Sequence, residues 1–304
     1  MAERPRQMTP KVVAGTKKRF LPVDFVIRLI REKPLGTVGG VIVIIFFLTG
    51  IFADVLSPFP QGKTHLIDRL KPPSGKYLLG TDELGRDELS RVIHGARVSM
   101  IVGLAASALA TLISTIIGAT SGLLGGKYDL VVQRFVDAWM CFPSLFIILS
   151  VMAVLGPGLV QVIVVLGTIT GITGSRIVRG AAIAVRENLY VSAAKAVGAS
   201  TFRVLMRHIM PNIMAVIIVL LTTRMAAMIL SEATISFLGY GIPPPTPSWG
   251  GMLSGPGREY MLRAPWLVLW PGLALAVAIY GINMFGDAIR DLLDPRLRGG
   301  IGRF

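Results

Sequence analysis

The sequence predicts an all-α membrane protein with six transmembrane helices, the first of them peripheral to the other five. Three observations lead there. Of 304 residues, 53% are hydrophobic and only 16% charged, and mean hydropathy is +0.66, more apolar than a water-facing surface normally is. Six stretches suit a crossing of about 30 Å of hydrocarbon, which takes about 20 helical residues; they lie at 36–56, 98–125, 133–155, 158–177, 211–238 and 265–289. The alternation that marks barrel strands is absent.

In chain order, residues 1–34 are read as a basic cytoplasmic tail. "MAERPRQMTPKVVAGTKKRFLPVDFVIRLIREKP" is too long and polar before its first apolar run for an ordinary signal peptide. Residues 35–57 form the first transmembrane helix, and 58–96 an extracytoplasmic segment. The Pro-, Gly- and Lys-rich first half of that segment reads as irregular loop. In its second half Thr81 and Asp82 can cap a turn, and Asp87 can open a helix running into the second span. Leu89, Val92 and Ile93 recur there at helical spacing, with Arg86 and Arg91 off that face. Residues 97–291 form a five-helix core with a loop at 188–210, and Pro143 and Pro271 interrupt its third and sixth spans. Residues 292–304 form a second cytoplasmic tail. No internal repeat of the secondary-transporter kind is visible.

The net charge of +14 is explained by topology rather than by nucleic acid. With the N-terminus inside, inside segments hold 21 of the 31 Lys and Arg, outside segments hold nine, and Arg224 lies within a span. Positive residues favour the cytoplasm, so both termini are expected inside, with the basic tails near anionic headgroups of the bilayer. Cys141 is the single cysteine, expected within the third span, so no intramolecular disulfide and no thiolate metal site are expected. His65, His94 and His208 fall on different segments, and no nucleophile, base and orienting group share a recognisable spacing.

The segment "YVSAAKAVGASTFRVLMRHIMPN", residues 190–212, is too basic to span a membrane and too regular for a slack connection. Ala193, Ala194, Ala196 and Val197 give a short helix a small, weakly apolar surface. Gly198 can end that helix in the left-handed conformation, and Ser200 can cap a second one. Phe202, Leu205, Met206 and Ile209 then recur as a face that would pack on the bundle, with Arg203 and Arg207 elsewhere. Pro211 interrupts this helix as the fifth span begins.

Ala193-Ala194, Gly198 and Pro211 resemble the loop of ABC-importer permeases with the pattern E-A-A-x3-G-x9-I-x-L-P. Ser192 stands in place of its Glu, His208 in place of its Ile and Met210 in place of its Leu. "LLGTDELGRDELSRVIHGARVSM", "DAWMCFPSLFIIL", "ILSEATISFLGYGIPPPTPSWGGML" and "GDAIRDLLDPRLR" are similar to the C-type (DppC/OppC-like) permease of dipeptide/oligopeptide ABC importers, over about residues 78–298. The resemblance implies a type I ABC importer permease fold (MetI-like). It implies a non-catalytic subunit that moves di- or oligopeptides by alternating access across a bacterial or archaeal cytoplasmic membrane. It also implies a homologous B-type permease partner, two ABC ATPase subunits that carry ATP and Mg, and an extracytoplasmic solute-binding protein. Coupling to the ATPases would run through Tyr190, Ser192, Ala193, Ala194, Lys195, Gly198, Arg203 and Pro211.

The chain's own residues agree that energy comes from elsewhere. "SGLLGGKY", residues 121–128, is the nearest approach to a phosphate-binding loop, but Ser121 and Tyr128 stand where Gly and Ser or Thr are needed. Charges inside spans usually face protein or water. Arg224, with Glu232 and Asp137, is therefore expected either to line the translocation path or to meet the partner permease. Glu232, eight residues on, is about 12 Å further along the axis and out of its reach. Asp137 is expected to pair with Arg134 near the inner surface. Trp249 is expected to pack in an outer loop, and Trp266 and Trp270 to join an aromatic belt. Two alternatives stay open: the same machine with another solute, such as an oligosaccharide or nickel chelate, and a secondary transporter needing no ATPase.

Overall fold

The computed structural model describes residues 22–293. Residues 1–21 of the tail expected at 1–34, and 294–304 of that expected at 292–304, lie outside the described residues. Helix α1 (Pro22–Glu32) is followed at once by α2 (Pro34–Ile51), the chain turning at Lys33 because Pro34 brings no N–H and suits a first helical turn. One turn, α3 (Ala53–Leu56), leads to the outer segment.

That segment is irregular apart from a 3-10 turn at Leu66–Asp68, yet it is well held. The Asp68 carboxylate accepts from the Tyr77 hydroxyl at 2.6 Å and from Lys76 at 3.1 Å, and also pairs with Lys71. Asp82 Oδ1 accepts from the backbone N–H groups of Leu84 and Arg86, closing the expected turn. Asp87 caps α4 (Glu88–Leu124) by accepting from Ser90 N at 2.8 Å. The face that α4 buries here differs from expectation. Glu88, Ser90 and His94 are buried, while Leu89, Val92 and Ile93 are half-buried. The outer segment folds back over the polar side: Ser57 Oγ bonds His94 Nδ1 at 3.1 Å, and Phe59 N donates to Ser90 Oγ at 3.1 Å.

The third expected span is two helices. α5 (Gly126–Met140) and α6 (Ser144–Leu155) meet at an 84° bend across Cys141, Phe142 and Pro143. Pro143 takes an extended conformation and cannot donate, so the ladder stops there. Cys141 accordingly sits exposed at the bend rather than within a continuous span. Then come α7 (Leu159–Arg186), α8 (Leu189–Ala196), α9 (Thr201–Val204), a π-turn at Leu205–Ile209 and α10 (Met210–Phe237). Two short helices, α11 (Trp249–Leu253) and α12 (Gly255–Glu259), precede α13 (Trp266–Leu293). Among the described residues five helical stretches are long and apolar enough to cross a membrane, and the bent pair makes a sixth if it is one span.

Pro271 corrects an expectation. It lies buried within α13, which runs through it unbroken. The position is one turn from the helix start, so little of the ladder is lost.

The core is built on the long contact of α4 with α7. Both helices turn small residues toward the contact, so their backbones approach closely, as membrane helices do where apolar packing must replace hydrophobic driving force. A Cβ on Gly118 would lie 2.4 Å from the Ser175 carbonyl oxygen, and one on Gly171 would lie 2.7 Å from Ile113 Cβ. Around this pair pack α10 and α13, with α2 outermost against α13. Gly39 permits that last contact, since its Cβ would fall 2.7 Å from the Gly281 carbonyl oxygen.

Candidate functional site

Residues 188–210 form a compact helical hairpin at the end of the bundle where α7 stops and α10 begins. Asn188 Nδ2 donates to the carbonyls of Ala184 and Val185, closing α7. Gly198 has φ +85° and ends the short helix α8, with Ala199 N donating to Ala194 O at 3.0 Å. Ser200 Oγ accepts from Arg203 N and starts α9. Both signals were readable from sequence.

The face that packs on the bundle was readable only in part: Leu205 and Ile209 pack there as expected, and Phe202 and Met206 do not. Val191, Val204 and Ile209 are fully buried, whereas Phe202 is 72% exposed and Met206 is also exposed. The cause is the π-turn at Leu205–Ile209, which adds a residue to one turn and rotates everything before it. It also explains Pro211. The proline does not break the helix: Thr201–Phe237 is one continuous apolar stretch. Proline's ring would clash with the carbonyl four residues back in a regular ladder, and the wide turn ahead of it relieves that.

The exposed side of the hairpin carries both apolar and basic groups. Leu189 is 89% exposed and Val197 87%, and Ser192, Ala193, Lys195, Arg203 and Arg207 are exposed beside them, with Ala194 half-buried. Tyr190 is exposed and its ring lies 6.2 Å from that of His208. Such a surface, rigidly mounted on α7 and α10, suits a groove on another protein.

Two polar constellations lie within the bundle. Arg224 sits where α4, α7 and α10 meet, donating to Ser114 Oγ at 2.9 Å, and Ser114 Oγ donates to Gly171 O at 2.8 Å. Among the described residues no carboxylate lies within ion-pair distance of Arg224. Glu232 is fully buried and out of its reach; its Oε1 accepts from Ser236 Oγ at 2.6 Å one turn on in α10, and Ser236 Oγ in turn accepts from Ile242 N at 3.3 Å, tying the end of α10 to the turn that follows. Asp137 faces Arg134 at 3.8 Å, and also pairs with Arg176 on α7. With Gln133, Leu130 and Arg179 these residues line an open cleft of about 380 Å³ between α5 and α7. Arg176 and its neighbour Arg179, which grips Asp129 through two bonds of 2.5–2.6 Å, were not readable as partners, because nothing local links positions so far apart in sequence.

Trp249 is buried, donates to Val92 O at 2.9 Å and packs on Phe46. Trp266 donates to Thr81 O at 3.1 Å, joining α13 to the outer segment. Among the described residues no cluster of His, Cys, Asp and Glu could hold a metal ion.

Known proteins match along nearly the whole chain. The family model "Binding-protein-dependent transport system inner membrane component" matches residues 92–299, and "N-terminal TM domain of oligopeptide transport permease C" matches residues 24–73. The oligopeptide transport system permease protein OppC of Bacillus subtilis is 40% identical over 269 residues, 88% of each chain. The dipeptide transport system permease protein DppC of Alkalihalophilus pseudofirmus is 36% identical, again over 88% of each chain. The di/tripeptide transport system permease protein DppC of Pseudomonas aeruginosa is 35% identical over 86% of this chain and 89% of its own.

Proposed function

The chain belongs to the family of binding-protein-dependent transport system inner membrane components, and from that membership we propose that it is one of two permease subunits of an ATP-driven peptide importer. The family is one of transport permease subunits, not enzymes. The cargo is a di- or oligopeptide, in keeping with the names of its relatives. A homologous permease completes the pathway, two separate ATPase subunits bind ATP and Mg, and a solute-binding protein delivers the peptide. The membrane is the cytoplasmic one, with both termini inside.

One observation carries the energetic part: the rigid hairpin at 188–210, with exposed Leu189, Val197, Phe202 and basic neighbours. Its first limb continues from α7 and its second runs into α10, so a push on the hairpin moves both helices together. ATP binding draws the ATPases together; the hairpins follow, and the inward-open cavity becomes outward-open toward the loaded binding protein. The bend between α5 and α6 leaves the cleft at Asp137 and Arg176 open, and we assign that cleft to the wall of the path. Arg224 we assign to holding α4, α7 and α10 in register.

The test is affinity purification from native membrane followed by peptide uptake in proteoliposomes. The expected result is recovery of the chain with a second permease and ATP-binding subunits, and uptake that requires ATP. Uptake by the purified chain alone under an ion gradient contradicts the proposal.

A further inference from the structure

At the end of the bundle opposite the hairpin, a cavity of about 260 Å³ lies among the start of α4, the turn after α10, α11, α12 and the start of α13. Its charged wall is unusual. Three carboxylates, Asp82, Glu83 and Glu88, face two guanidinium groups, Arg86 and Arg91. Asp82 is saturated: it accepts two backbone N–H groups, bonds Arg86 Nε at 2.5 Å and lies 3.4 Å from Arg91 Nε. Glu83 is satisfied by Arg86 Nη2 at 2.9 Å. Two groups remain over. Glu88 is 1% exposed and its Oε1 has no partner, and Arg91 Nη1 is buried without one, among the described residues. Both residues line the cavity, and no ion pair within 4 Å joins them.

A buried carboxylate oxygen and a buried guanidinium N–H left unpaired are each costly, so the site favours a ligand that satisfies both. That ligand must present a cationic donor and, close beside it, an acceptor. We propose that this cavity binds the amino-terminal end of a peptide, with Glu88 taking the α-ammonium group and Arg91 the adjacent carbonyl oxygen. The proposal rests on the peptide-importer reading and deepens it. The remaining wall suits an end residue: Pro243, Pro244, Ile242 and Leu267 are apolar, and Ser248 and Ser254 add hydroxyls. The volume falls just below the roughly 300–1,000 Å³ of small-molecule sites, enough for a peptide end but not for an oligopeptide.

The experiment uses the intact importer in nanodiscs without its binding protein, and measures binding of dialanine and of N-acetyl-dialanine by saturation-transfer NMR. The wild type is expected to bind dialanine at least tenfold more tightly than the acetylated form. Glu88→Gln should abolish that preference, and Glu88→Asp, which keeps the carboxyl group, should retain it. The wild-type comparison stands even if a variant fails to assemble. Equal binding of the two peptides, or a preference unchanged in Glu88→Gln, overturns the proposal. So does absence of dialanine binding with weaker docking of the binding protein in Glu88→Gln, which would place a protein side chain in the cavity. ATP-driven peptide uptake is measured in parallel: uptake without an amine preference in binding sinks the site alone, whereas Glu88-dependent dialanine binding without uptake sinks the transport reading alone.

Discussion

Arg224 occupies space that Gly174 leaves for it: a Cβ on Gly174 would lie against the guanidinium group, within the distance of a covalent bond. Gly174→Ala must therefore displace Arg224 from Ser114 or push α7 away from α10. The expected cost is about 1–3 kcal/mol, typical of overpacking, read as a lower melting temperature of the purified complex. Arg224→Met should lower it as well, and unchanged melting in both variants would contradict a structural role. On the outer side, Asp68 offers a second test. The Lys71 ammonium, then the Tyr77 hydroxyl and Lys76, hold its carboxyl well below the usual carboxylate range. A lowered folded pKa stabilises above the unfolded value of about 3.9 and is lost only as pH falls through the folded one. Amide protection of residues 65–81 should thus be constant from pH 7 to 5 once intrinsic exchange is corrected, and Asp68→Asn should lose it throughout. Loss of wild-type protection in that window would count against the network.

Helix boundaries follow local chemistry closely. Asp87 before α4, Gly198 after α8, Ser200 before α9 and Pro143 at the α5–α6 bend each act on backbone within a few residues of themselves, so each is visible in a sequence. What a helix turns inward is less visible. The buried polar start of α4 depends on a loop folding over it, and the packing face before α10 depends on a π-turn that no residue type announces. Long-range pairs such as Asp137 with Arg176 are hidden for the same reason. The close α4–α7 contact gives a prediction at this scale. Gly118 lies where α4 and α7 nearly touch, and Gly118→Val should cost about 1–3 kcal/mol or more and reduce the assembled complex in the membrane. The same substitution at Gly180, where a Cβ meets nothing within 4 Å, is the control and should leave assembly intact.

For the whole molecule, the governing idea is a division of labour. In the proposed importer the bundle would supply a path and a hinge, and motion would enter at the exposed hairpin joined to α7 and α10. The polar cavity at the far end is the complementary feature, placed where cargo would arrive. A single-cysteine crosslink tests the central claim most directly. With Cys141 replaced by Ser, Ala194→Cys is expected to crosslink to an ATP-hydrolysing subunit in the active complex, and the yield should change when ATP is added. Uptake that proceeds while Ala194→Cys never reaches such a subunit would contradict the account.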